Sequence, residues 1–140
     1  MKTFFTIIYL FITLSIFSQS DKIYGEYLFQ GGNEKHRTEY KLNLYEDGTF
    51  TFHSFTYIAL PPQKIDKYGK GTWELDDKIV SFHVNKQKDI DNNHTLDFSN
   101  SRARFITKSP RDKTNRIIKT SLQFFESKIF WIKRLKILKK

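Results

Sequence analysis

The sequence predicts an all-β fold, an eight-stranded antiparallel up-and-down β-barrel that follows an N-terminal export segment. Three observations carry this expectation. From Asp21 onward, short alternating or apolar runs are separated by turn residues every 8 to 15 positions. No connection is long enough to hold the crossover helix that parallel strands require. Of the 140 residues, 39% are apolar and 16% aromatic, which is enough to fill a core and excludes disorder. The chain has no cysteine, which excludes a disulfide scaffold, a thiolate zinc site and a catalytic thiol.

The export segment comes first. Met1-Lys2-Thr3 is a short basic start, and Phe4 to Phe17 is a 14-residue run free of charge, Pro and Gly. As a helix it would span only about 21 Å of a roughly 30 Å hydrocarbon core, which favours a signal peptide (residues 1–20) over a membrane anchor. Cleavage is expected after Ser18 or after Ser20, leaving a domain over residues 21–140.

The first strand is Ile23 to Gln30, with Ile23, Gly25, Tyr27 and Phe29 on one face; Gly31-Gly32-Asn33 ends it. Tyr40, Leu42 and Leu44 alternate with polar neighbours, and Thr49 to Ile58 places Phe50 and Phe52 opposite Thr49, Thr51 and His53. Asp47-Gly48 between these runs is a hairpin signal, because Gly accepts the positive φ of a tight reversal. Pro61-Pro62 predicts a loop over Ala59 to Lys70. Gly71 to Leu75 and Ile79 to Asn85 flank Asp76-Asp77-Lys78 as a second hairpin, with Trp73 inward and central to the core. Thr95 to Phe98 leading into Arg102 to Thr107, then Arg116 to Phe125 and Ile129 to Leu138, complete eight strands. Residues 123–140 also fit a helical stripe, and the prevalence of Ile, Phe and Trp favours strand.

Eight antiparallel strands close on themselves and so remove both unpaired edges. Tyr24-Gly25-Glu26-Tyr27, the Leu44 to Phe50 hairpin (LYEDGTF) and Gly71-Thr72-Trp73-Glu74-Leu75 resemble small exported lipocalin-like, calycin-type β-barrel proteins common in Bacteroidota. The chain departs from lipocalins proper in having Tyr27 where their first strand carries the Trp of Gly-x-Trp, and in lacking a Thr-Asp-Tyr element. What the resemblance implies is a barrel whose interior either fills with side chains or holds one small apolar ligand, with no particular ligand named.

Candidate sites follow from parity and charge. Tyr27, Tyr40, Phe52, Trp73 and Phe82 share inward parity and are expected to line a pocket for a small apolar or amphipathic ligand. Residues 21–98 carry 10 basic and 13 acidic side chains, whereas residues 99–140 carry 13 basic and 2 acidic. Arg102, Arg104, Lys119, Lys133, Arg134 and Lys136 on three neighbouring strands are therefore the candidate anion-binding set. His36, His53, His83 and His94 show no metal-ligand spacing, and His53 and His83 fall on the outer face. No nucleophile elbow or phosphate-cradling loop is present, and no cofactor is expected.

The leading expectation is an exported, non-enzymatic protein, periplasmic or secreted, that binds a small apolar or amphipathic ligand. The alternative is an interaction protein whose basic C-terminal third docks on anionic lipid, lipopolysaccharide or acidic glycan. Export argues against nucleic acid as the partner.

Overall fold

The computed structural model describes residues 23–140, so the expected signal peptide lies outside the described residues. Eight antiparallel strands, each paired with its neighbour in sequence, form a closed barrel: β1 (Gly25–Gly32), β2 (His36–Leu44), β3 (Thr49–Ala59), β4 (Pro62–Asp76), β5 (Ile79–His83), β6 (Arg102–Ile106), β7 (Ser121–Glu126) and β8 (Lys136–Lys139). Closure rests on two residue pairs between β1 and β8, Tyr27 with Lys139 and Leu28 with Leu138.

The local chemistry explains the hairpins. In the β2–β3 turn the Asp47 carboxylate accepts the Thr49 N–H (2.9 Å), and Gly48 takes φ +87°, a left-handed conformation that favours glycine. In the β1–β2 turn Asn33 Oδ1 accepts the N–H groups of Lys35 (2.9 Å) and His36 (3.0 Å). This turn lets β2 begin at His36, earlier than the run from Tyr40 indicates.

The loop expected over Ala59 to Lys70 is corrected. Ala59 pairs with Pro62 across a two-residue turn, and β4 runs from Pro62 to Asp76. Proline lacks a ladder donor, yet the first residue of a strand tolerates it, so Pro62 opens a strand where a loop is expected. The resulting ribbon pairs β3 with β4 from Thr49–Thr72 to Ala59–Pro62, and at Thr72 the ladder of β4 passes to β5.

Three further expectations are revised. Thr95 to Phe98 is irregular chain lying beside β4, with the Leu96 N–H donating to Tyr68 O (3.0 Å). Residues 116–120 lie outside β7, which starts at Ser121. Of the run Ile129 to Leu138, only Lys136–Lys139 is strand; residues 129–134 form successive turns with Ile132 N–H bonded to Ile129 O (3.0 Å) and Leu135 N–H to Ile132 O (2.8 Å). The alternative helix over residues 123–140 is likewise not formed.

The inward faces of the strands meet in one core. Tyr27, Leu42, Leu44, Phe50, Phe52, Val80 and Phe82 are buried there, as alternation predicts. Phe98 enters from the β5–β6 connection and packs its ring against Phe50 (5.4 Å), Phe52 (4.9 Å) and Phe82 (6.1 Å). The barrel interior is filled by side chains, one of the two outcomes open to eight strands. Trp73 keeps inward parity opposite Phe82 but is half-buried at one end, not central. Its indole N–H donates to Tyr45 O (3.0 Å) and its backbone N–H to Gly48 O (2.8 Å), which tie it under the β2–β3 turn.

Candidate functional site

Because strands alternate in direction, the β1–β2, β3–β4, β5–β6 and β7–β8 connections share one end of the barrel and Trp73 stands at the other. At the shared end the inward face changes character. On β2 it passes from Leu42 to Tyr40, Thr38 and His36; on β3, from Phe52 to Ser54 and Thr56; on β4, from Gly69 to Lys67 and Ile65. Above the packed core this face lines an open mouth of about 450 Å³, completed by Phe130 and Trp131 from the β7–β8 connection.

The mouth has two chemically distinct walls. One is aromatic: Tyr40 lies 5.0 Å from Trp131 at 29° and 5.5 Å from Phe29 at 19°, with Phe52 beneath at 5.9 Å from Tyr40. Burial raises the Tyr40 hydroxyl above its ordinary pKa, so it stays a neutral donor. The other wall carries the Thr38, Ser54 and Thr56 hydroxyls with the Lys67 ammonium. Apolar area beside a few convergent polar groups is the usual composition of a small-molecule site.

A larger hollow of about 730 Å³ lies where β4 passes from β3 to β5, between Lys70, His83 and Lys88. Phe50 and Val84 are the apolar side chains on its walls, and the rest of the lining is Thr, Lys, Gly, His, Asn and Asp.

The expected ligand residues are dispersed. Tyr27, Phe52 and Phe82 are packed into the core, and the Tyr27 hydroxyl, its pKa raised by burial, donates to Ile23 O. Trp73 occupies the far end, which leaves Tyr40 as the member of the set that reaches the mouth. Trp131, Phe130, Thr38, Ser54, Thr56 and Lys67 were not singled out by the sequence. The continuation of inward parity beyond Tyr40 and Phe52 was the available signal for Thr38, Ser54 and Thr56.

The basic set is brought together in part. A register shift in β6–β7 accommodates Phe125 between Glu126, opposite Arg102, and Phe124, opposite Ala103. The guanidinium groups of Arg102 and Arg104 lie 5.0 and 5.9 Å from the centre of the Phe125 ring. Arg104 pairs with Gln123 and Gln123 with Lys136, so this cationic face crosses three strands, and Gln123 Nε2 donates to Arg134 O (2.7 Å). Arg102 is neutralised locally by Glu126 at 2.8 Å. Lys133 is exposed in the β7–β8 connection, while Lys119 belongs to the β6–β7 connection at the opposite end.

His53 and His83 do lie on the outer face, where His53 Nε2 meets Asp66 (2.7 Å) and stacks on Tyr68 (4.6 Å). Among the described residues no group of three or more His, Asp or Glu side chains is arranged to hold a metal ion. Compared with known protein families, with curated proteins and with solved structures, the chain matches none.

Proposed function

We propose that the protein is an exported, non-enzymatic, lipocalin-like carrier that takes a small amphipathic molecule into the barrel mouth. The observation that supports this reading is that the Tyr40–Trp131 stack and the Thr38, Ser54, Thr56 and Lys67 side chains line one mouth of about 450 Å³. A flat ring or short chain would rest on the aromatic rings, and an anionic or hydroxylated end would turn to Lys67. Because Phe98 and its neighbours fill the interior, the ligand sits above the core, which favours a short ligand over a long acyl chain.

Fluorescence titration with an anilinonaphthalene sulfonate, whose rings and sulfonate mimic both halves of such a ligand, tests the site. Saturable one-site binding is expected, weakened by Tyr40→Ala through lost ring contact and by Lys67→Gln by about 1 kcal/mol. Binding indifferent to both substitutions would place the probe elsewhere and remove the reading. Export is tested by sequencing the N-terminus of the protein recovered outside the cytoplasm, which is expected to start at Gln19 or Asp21.

A further inference from the structure

We infer that the mouth end of the barrel docks on an anionic lipid surface, with Phe130 and Leu60 as the inserting residues. The β7–β8 connection sorts three consecutive side chains in three directions. Ile132 is buried in the core, Trp131 lies against Tyr40, and Phe130 is 86% exposed. The turn is held to this arrangement by its backbone: Ile129 N–H donates to Ser127 Oγ (3.1 Å), Arg134 N–H to Phe124 O (3.1 Å), and the Arg134 carbonyl accepts Gln123 Nε2 (2.7 Å). Phe130 is thus an apolar side chain presented to solvent by a connection with both of its neighbours engaged.

Leu60, at the tip of the β3–β4 ribbon, is 82% exposed at the same end of the barrel. Ile65 and Phe130 line the mouth between these tips. Exposed cations lie on the same connections: Lys133 and Arg134 on the one that carries Phe130, and Lys64 on the ribbon that carries Leu60. Of the acidic side chains on this half of the barrel, Glu126 is paired with Arg102 (2.8 Å), Asp66 with His53 (2.7 Å) and Asp91 with Lys70 (3.7 Å), Asp97 faces Lys128 electrostatically, and Glu34 and Glu39 belong to the β1–β2 hairpin. Exposed apolar side chains with exposed cations on the same connections suit an anionic bilayer, where the apolar groups enter the interface while Lys and Arg meet headgroups. A polysaccharide would use the cations but gain nothing from an exposed phenylalanine, so lipid is the partner that explains both. Docking in this pose sets the mouth against the headgroup layer, and it does not require the mouth to be occupied.

The test uses the full chain with vesicles of phosphatidylglycerol mixed equally with phosphatidylcholine, some carrying brominated acyl chains. Trp131 reports the mouth end in a Trp73→Phe background, and Trp73 the far end in a Trp131→Phe background. Quenching of Trp131 and not of Trp73 is expected. Binding should weaken as salt rises, because the screening length shrinks from about 10 Å at 0.1 M to about 3 Å at 1 M. Leu60→Ser with Phe130→Ser, both at exposed positions, should weaken vesicle binding at least about tenfold. Equal quenching of both tryptophans, no binding at low salt, or undiminished binding of the double variant would each overturn the proposal. So would binding to an acidic polysaccharide without binding to vesicles. The soluble-probe titration of Tyr40→Ala is independent of these readouts, so docking and ligand binding can fail separately.

Discussion

Gly69 and Phe98 are matched to each other. A Cβ on Gly69 would lie 2.8 Å from Phe98 Cε2 and 3.2 Å from Leu96 Cβ, so the missing side chain on β4 is the space through which the β5–β6 connection fills the barrel. Gly69→Ala is therefore expected to overpack the core by about 1–3 kcal/mol, read as a lower denaturant midpoint. Adding Phe98→Leu should recover part of that loss. If the two substitutions are additive, the sites are not coupled and the match is incidental.

Phe98→Ala makes the complementary test. Removing a buried phenylalanine is expected to cost about 3–5 kcal/mol and to leave a cavity bounded by Phe50, Phe52 and Phe82. An apolar cavity of that kind stays dry and accepts small apolar molecules. Added benzene should raise the melting temperature of Phe98→Ala and leave the parent unchanged. No shift in the variant would mean that the barrel collapses around the loss.

The strand rhythm is legible in the sequence because burial imposes period two: Leu42 and Leu44, Phe50 and Phe52, Val80 and Phe82 all point inward as alternation requires. Alternation loses its force where one connection supplies core to another element. Phe98 and Ile132 look like strand residues, since each is apolar and flanked by polar or aromatic neighbours, yet both are loop residues inserted into the barrel. The mouth is half legible for the same reason. Tyr40 follows from parity on β2, whereas Trp131 reaches it through a tertiary contact across the barrel that local pattern does not encode.

Trp73 separates ring packing from hydrogen bonding. Trp73→Phe keeps an aromatic ring at the barrel end and removes the N–H that donates to Tyr45 O at 3.0 Å, so a loss of about 1 kcal/mol is expected. Trp73→Ala should cost more, because it also removes the ring packed against the core. Equal costs for the two would show that the hydrogen bond, and not the packing, holds the β2–β3 turn over this end. The same Trp73→Phe protein serves as the folded background for the vesicle measurement.

Acid should loosen the β5–β6 connection through Asp91. The His94 backbone N–H (2.7 Å) and imidazole (3.0 Å), with the Asn93 N–H (2.8 Å), lower the Asp91 carboxyl from 3.8 to about 2. The folded value lies below the unfolded one, so the folded state favours the carboxylate. This contribution is complete above the unfolded value and is lost as pH falls through the folded one, a window from about pH 4 down to about 2. Asp47, Asp97 and Asp112 are also held low, by bonds from Thr49, Ser99 and Arg116 respectively, so the parent protein should lose stability steeply over the same range. Asp91→Asn keeps an oxygen for the His94 and Asn93 amides but no charge to neutralise. Its denaturant midpoint should therefore differ from the parent's by a constant above about pH 5 and converge toward it as pH falls to about 2. Parallel curves across the whole range would show that the Asp91 charge does not stabilise the fold, leaving the Leu96 bond to Tyr68 and the burial of Phe98 as what holds this connection to β4.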